Sequence, residues 1–491
     1  MACLPKLTAS LIGCFFLALI GSGPLHASPW AEVGDTQLRS DINILAAAGI
    51  IDDVTTQWPI PWGGILQRLD EPNVLDGQPD YVRTAAKRVR SQGDAQQTET
   101  GQVHYNATLD LTNMPDVVRG FDASGRQDIQ GTVSAELTTR STSIRLSLGA
   151  KDANHLDHQT LVLDGSYIAQ RVGNAAIYAG YLTHWWGPGW FSALSLSNNA
   201  RPFPQVGISR LSTTPFESSW LSWIGPWQAE FFAGWLDGPR IAKNTLYDGL
   251  RVTFNPLPGL EIGLARTDEL CGTGHPCKPL ATYFDFRNSP QHPSRTNDEG
   301  VIDIRYTNDF AGFPFEVYTQ EMNEDSNPIY HSGTSHLFGA SLWIPLTDST
   351  ARFTIEYTDS IATRDIFSFG NDFYAFTYND YKYADGMRYR GDALGFSLDN
   401  DSRLASLQAS LVDARNITYT LTYHRASISS PNSIGANPIT TGPVNINIGE
   451  ARLSVPFTRL SFQVIGRLQD DQPRPDHGFA ASIESIVSID L

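Results

Sequence analysis

The side chains best suited to chemistry in this sequence are rings and short amides rather than a nucleophile and its base. Between His184 and Arg240 stand Trp185, Trp186, Trp190, Trp220, Trp223, Trp227 and Trp235, seven of the chain's eleven tryptophans, among Gly-Pro pairs and the run Asn198-Asn199-Ala200-Arg201-Pro202. A second cluster over 366–389 interleaves Phe367, Phe369, Phe373, Tyr374, Phe376, Tyr378, Tyr381, Tyr383 and Tyr389 with Asn371, Asp372, Asn379 and Asp380. Rigid amphipathic rings beside amides and carboxylates suit a sugar, whose apolar face stacks while its hydroxyls take hydrogen bonds. Trp185, Trp186, Trp190, Asn198, Asn199, Arg201 and Arg210 are therefore candidates for a polar aromatic mouth, and Tyr374, Tyr378, Tyr381 and Tyr383 for a stacking loop. Each cluster has a plainer reading. The first would be a plug latched to a wall, the second an interfacial girdle or loop packing.

Catalytic constellations are not evident. The sequence contains no Gly-x-Ser-x-Gly, His-Glu-x-x-His or Walker-type glycine loop, so neither an enzyme nor a bound cofactor is expected. His184, beside Trp185, reads as a structural donor at a strand end. The acidic runs Asn323 to Asn327 and Asp399 to Asp401 read as solvated turns rather than calcium ligands, and no metal site is expected. Cys3 and Cys14 fall in the leader, leaving Cys271 and Cys277 in CGTGHPC; in an exported protein that pair reads as a disulfide closing a small loop. A net charge of −17 argues against nucleic acid, and it also means that bulk electrostatics would not hold an acidic polymer.

The elements that must position these residues change character along the chain. Residues 1–27 carry Lys6, an apolar run from Leu11 to Ile20 and Leu25-His26-Ala27, the pattern of a secretory signal peptide. Over 28–100 the periodicity is helical: Asp35 can cap a helix with Leu38, Ile42 and Leu45 on one face, closed by Gly49. Pro79 can open another helix, with Val82, Ala86 and Val89 inward. These stripes are too short to fold well alone, so the segment should pack on something larger. From Gln102 the period becomes two, in runs such as Val103, Tyr105, Ala107, Leu109 and Leu111. The runs span about ten residues, the length of a tilted outer-membrane strand, where soluble strands average ~5–6.

The spacing predicts an all-β transmembrane barrel over 101–491, with tight turns and long loops alternating. Long connections fall at 268–299, 323–334, 359–401 and 427–445, which bacterial barrels place outside the cell. Counts from the two ends meet in phase with one more strand between Trp185 and Pro226, for which PFESSWLSWI is the best candidate. The total is about eighteen, an even number. A barrel of that size encloses a lumen that something must fill, either the segment from Trp185 to about Thr214 or the N-terminal helices.

The order WWGPGW, then SLSNNARPFP, then PFE..WLSWIGPW closely resembles the capsule-assembly Wzi family of outer-membrane proteins. The match covers the helical segment through WPIPW and residues 180–267, and extends to the other strands by pattern. It implies an eighteen-stranded barrel closed by a small N-terminal helical plug domain, acting as a non-catalytic lectin. Such a protein would organise capsular or extracellular polysaccharide at the surface of the bacterial outer membrane. Its partners would then be that polysaccharide, outer-membrane lipid and the barrel-assembly machinery, with no nucleic acid. Two positions depart from the family: its Gly-rich stretch after the strand ending near Arg266 here carries the cysteine pair, and Leu491 stands where most barrels end in an aromatic residue. The competing readings are a solute-conducting porin and an outer-membrane glycan hydrolase. A porin needs an open lumen, and a hydrolase two carboxylates ~5–9.5 Å apart in a groove.

Overall fold

The computed structural model describes residues 29–52, 54–96, 102–122, 124–139, 141–153, 157–275, 277, 296–324, 333–364, 371–433 and 437–491. The expected signal peptide, Phe367 and Phe369 lie outside these residues. The period-two runs form one closed antiparallel barrel. In chain order the first nine strands are Val103–Thr112, Ile129–Thr138, Thr142–Lys151, Tyr167–Val172, Ala175–Gly180, Gln205–Arg210, Trp227–Leu236, Thr245–Leu257 and Leu260–Leu270. The second nine are Asn297–Phe310, Phe313–Glu324, Thr334–Pro345, Thr350–Thr363, Arg403–Val412, Thr418–Ile428, Val444–Pro456, Leu460–Gln469 and Ala480–Asp490. The ring closes where the last strand pairs with the first, Val487 opposite Leu109, so all eighteen strands have two neighbours and no open edge remains.

Alternation decides which side chains meet lipid. In Asn297–Phe310, Ile304 and Tyr306 face out while Asp303 and Arg305 face in, each 1% exposed. Register is fixed by this pattern, because a one-residue slip would turn both charges outward. A closed barrel with an apolar exterior satisfies every backbone group within the sheet, which is how strands cross a bacterial outer membrane. No described helix is long and apolar enough to cross.

One strand differs from expectation. The sixth strand is Gln205–Arg210, paired on one side with Ala175–Gly180 and on the other with Trp227–Leu236, and not PFESSWLSWI. Its Val206 and Ile208 face lipid while Gln205 and Ser209 face in. The run from Pro215 to Ile224 mixes Glu217 and three serines with its apolar residues without alternating, and it forms a turn at one end of the barrel, with a 3-10 segment at Ser222–Ile224 and Trp220 and Trp223 exposed. By the loop-length rule this end, with its tight turns at 173–174, 258–259 and 311–312, faces the periplasm.

The lumen is filled. Helix Thr36–Ala47 starts at Asp35, whose carboxylate accepts the Leu38 N–H at 2.8 Å, and Gly49 at φ +67° ends it. Helices Trp62–Leu69 and Asp80–Gln96 follow, and Leu38, Ile42, Leu45, Val82, Ala86 and Val89 all enter the central apolar cluster. Tyr81 donates to Asp309 beside the 311–312 turn, which places these helices at the periplasmic mouth.

Candidate functional site

The plug is held by charge buried in the barrel wall. Glu261 accepts the N–H groups of Thr55 and Thr56, both at 2.9 Å, and the Thr56 hydroxyl at 2.8 Å. Arg305 compensates that carboxylate at 3.0 Å and reaches Glu316 and Asn43, each at 3.2 Å. Arg251 forks onto Asp303 at 2.7 and 2.9 Å and also donates to Thr56. Opposite charges in fork geometry are what make such burial tolerable.

From the extracellular end, residues 181–204 fold down into the barrel as a lid. Trp185 and Trp186 pair as a short ladder with Trp58 and Gln57 of the plug, and the Gly187 N–H donates to the Thr56 carbonyl at 3.0 Å. Arg39 of the plug donates to the carbonyls of Pro188 and Gly189 at 2.6 and 2.8 Å, with its guanidinium over the rings of Phe121 and Trp190. Burial pulls Arg39 down to about 10, partly opposed by Glu316, so it keeps its charge at neutral pH. Glu356 accepts the N–H groups of Trp190 and Phe191 at 2.6 and 3.0 Å, and the Trp190 indole donates to Glu316 at 2.7 Å. Plug, lid and wall thus meet at Trp190.

This geometry relocates most of the expected sugar-binding mouth. Trp185, Trp186 and Trp190 are buried between plug and wall, and Asn198 and Asn199 donate to the carbonyls of Phe121, Asp122 and Ala393. Arg201 forks onto Asp164, with both contacts at 2.9 Å, and reaches Asp157 at 2.7 Å. Arg210 lies at the periplasmic end, its guanidinium 3.8 Å from the Trp227 ring centre. These side chains direct their hydrogen bonds to the protein, because carbonyls and carboxylates of the neighbouring segments, buried with them, need donors. His184 is likewise buried, stacked on Phe232 and bonded to Gln205 at 2.9 Å.

The second cluster divides. Tyr378 is buried, its hydroxyl donating to Leu194 and accepting from the Phe396 N–H, so it braces the loop against the lid. Tyr383 is buried under His275 and donates to the Cys271 carbonyl at 3.0 Å. Tyr381 is 80% exposed with the Lys382 ammonium 4.8 Å from its ring, and Phe373 is 45% exposed. Half-buried Tyr374 donates to Asp372 at 3.1 Å and accepts from Asn432 at 3.3 Å. Asn432, Tyr374 and Asp372 thus form one amide-hydroxyl-carboxylate chain, next in sequence to the exposed ring of Phe373. Sequence reasoning missed Asn432 and Lys382, since a polar residue in a long loop carries no signal of its cross-loop partner.

The expected solvated turn at Asp399 to Asp401 is instead buried. Arg388 forks onto Asp399, and Asp401 accepts the Ala375 N–H at 2.9 Å and the Ser433 hydroxyl, because the loop above needs these acceptors to fold down. Burial alone would raise Asp157, but hydrogen bonds from Lys151 and Arg201 outweigh it and hold that carboxyl well below its usual range. Cys271 and Cys277 are joined in a disulfide on the extracellular side. Replacing both by serine should leave the barrel's heat-modifiable migration unchanged, since both cysteines lie beyond the strand that ends at Leu270. Thiol labelling of unreduced, denatured wild-type protein should find no free sulfhydryl, and two reactive thiols would refute the bond in the mature protein.

A family model described as capsule assembly protein Wzi matches residues 110–461. A Klebsiella pneumoniae protein described as an uncharacterized 55.8 kDa protein in the cps region is 22% identical over 315 residues. That match takes in 62% of this chain and spans 60% of the relative's length. The solved structure of Wzi, described as an outer membrane protein involved in group 1 capsule assembly in Escherichia coli and a carbohydrate binding β-barrel, superposes with a TM-score of 0.81. The two are 18% identical, with 93% of this chain and 98% of that one covered, which shows a shared fold. The Pseudomonas aeruginosa barrel OccK3 superposes with a TM-score of 0.43 at 11% identity, with 79% of this chain and 96% of that one covered.

Proposed function

Because this chain belongs to the capsule assembly protein Wzi family, we propose that it is an outer-membrane lectin that holds capsular or other extracellular polysaccharide at the cell surface without cleaving it. One observation carries the reading: the lumen is closed from both ends while rings and hydrogen-bonding groups remain on the outer loops. A porin would keep the lumen clear. On this reading residues 1–27 are removed, 28–100 form the periplasmic plug and 101–491 the barrel. The binding surface comprises Phe373, Tyr374, Tyr381 and Asn432, with Asp372 and Lys382 beside them. Lipid surrounds the wall, and the barrel-assembly machinery inserts it.

The non-catalytic reading is supported by how the extracellular carboxylates are used. Asp157, Asp164 and Asp399 each lie against arginine, and Asp385 accepts the Ile241 N–H at 2.9 Å. A glycosidase acid must hold a proton near neutral pH, whereas hydrogen bonds from Lys151 and Arg201 hold the Asp157 carboxyl well below its usual range. The reading is tested by deleting the gene and weighing cell-bound against released polymer, where an unchanged ratio would refute it. For the seal, planar-bilayer recording of the intact protein should show no steady conductance, and porin-sized steps would restore the channel reading.

A further inference from the structure

Beneath the 371–389 loop, four neighbouring strands bring together oxygen atoms that the protein's own donors leave unsatisfied. Two inward rows cross their extracellular ends: Tyr247, Glu269 and Asn297 in one, Gly249, Thr267, Glu299 and Glu324 in the next. Tyr247, Asn297 and Glu299 are 0% exposed, and Glu324, expected in a solvated turn, is 3% exposed. The Tyr247 hydroxyl comes beside Thr267 and Glu299. Some of these groups are committed within the protein. Glu269 takes the Arg240 guanidinium and the Asn297 amide N–H, the latter at 2.9 Å, while Glu299 accepts the Thr267 hydroxyl at 3.1 Å and Glu324 the Tyr378 N–H at 3.3 Å. Three oxygens remain without a hydrogen bond: the other Glu299 oxygen, Asn297 Oδ1 and the Tyr247 hydroxyl.

Charge says what would satisfy them. Glu299 makes no ion pair among the described residues, the charges that bear on it from Glu269, Asp298 and Asp268 are all carboxylates, and Glu324 stands directly opposite across the strand pair. Like charges paired across strands are destabilising, and a buried charge with no opposite charge is more so. A buried water would bond the oxygens but leave the charge, whereas a cation answers both. The donor set then selects among cations. It offers oxygens only, with no imidazole or thiolate to favour zinc. Calcium accepts six to eight oxygens in flexible geometry, while magnesium demands a near-ideal octahedron and keeps its waters. Among the described residues no three His, Cys, Asp or Glu side chains make a metal centre by themselves, so this one needs the neutral oxygens of Asn297 and Tyr247.

We propose that Glu299, Glu324, Asn297 and Tyr247 hold a calcium ion that ties the extracellular strand ends to the underside of the 371–389 loop. The tie passes through Glu324 to the Tyr378 N–H, and the Tyr378 hydroxyl in turn braces the lid at Leu194. Two carboxylates give the modest charge of an extracellular site, with a Kd of ~10⁻⁴–10⁻³ M. The site does not rest on the lectin reading, because its oxygens lie under the loop and not on the outer surface.

The test uses the full-length barrel in mild detergent, stripped with chelator and titrated with calcium in equilibrium dialysis with no polysaccharide present. Glu299→Gln removes one of the two charges and should weaken calcium binding on the order of tenfold. Tyr247→Phe keeps the ring against Phe203 and Phe232 and should weaken it by about two- to tenfold, and it decides the matter if the glutamine variant does not assemble. Calcium should also slow proteolysis of the 371–402 loop in the wild type and not in Glu299→Gln, since a ligand bound only to the folded form stabilises it. Binding unchanged in both variants would place the calcium on surface carboxylates and overturn the site, and magnesium bound as tightly would overturn the choice of ion. If the wild type takes up no calcium at ~10 mM, well above the expected Kd, Glu299 is held by a proton or a buried water and the proposal fails.

Discussion

Arg305→Ala should turn a silent barrel into a leaky one. Arg305 is the charge that lets Glu261 and Glu316 stay buried, and Glu261 in turn holds three donors of the plug at Thr55 and Thr56. Removing one partner of a buried network costs about 3–5 kcal/mol, because the remaining charges have no compensation. The eighteen-strand wall does not depend on that network: its ladder bonds run between backbones, and the strand Asn297–Phe310 keeps both neighbours. The expected outcome is a barrel that migrates normally but conducts, since water drawn to the two carboxylates loosens the Thr55–Thr56 contact and frees Asn43. Arg305→Lys keeps the charge but loses the fork geometry, so its conductance should fall between wild type and alanine. A silent alanine variant in planar bilayers would show that the Arg39 and Trp190 contacts alone hold the plug.

Such a latch is invisible to a linear reading. Arg39 and Gly189 lie 150 residues apart, and Trp190 and Glu356 lie 166 apart, with nothing in either local pattern naming the partner. The barrel was legible because period-two alternation is local and redundant; Val103 to Thr112 shows its two faces without reference to any other strand. The helix caps were legible for the same reason, as Asp35 and Gly49 act on their own backbone. The sixth strand misled because its six residues include Gly207 and offer only Val206 and Ile208 to lipid, while the tryptophans of 215–224 advertise membrane proximity without alternating. The rings posed a different difficulty. Tyr378 and Tyr381 stand three residues apart in one aromatic loop, yet one hydroxyl braces the lid and the other ring is exposed. An amphipathic ring suits either setting, so composition located the loop and tertiary packing chose the face.

That division sets the last expectation. Phe373→Ala with Tyr381→Ala should release polysaccharide from cells while the amount of assembled barrel stays constant. The two rings are the most exposed of the described 371–389 aromatics, and neither hydroxyl nor ring is used to hold the loop as Tyr378 and Tyr383 are. Each stacked ring contributes roughly 0.5–1.5 kcal/mol beyond area burial, so losing both should weaken a single polymer contact by about five- to a hundredfold. Tyr374→Phe removes only the hydroxyl linking Asp372 and Asn432 and should show a smaller loss. Salt separates stacking from charge. With a formal charge of −17 over the chain, Lys382 is a local cation in an acidic field, and exposed charges more than ~8 Å apart are screened at physiological ionic strength. Retention per assembled barrel should therefore change little between low and high salt in the wild type. If the double variant retains polymer normally, these rings are not the platform; if wild-type retention collapses with salt alone, the polymer is held by charge and the stacking mechanism is wrong.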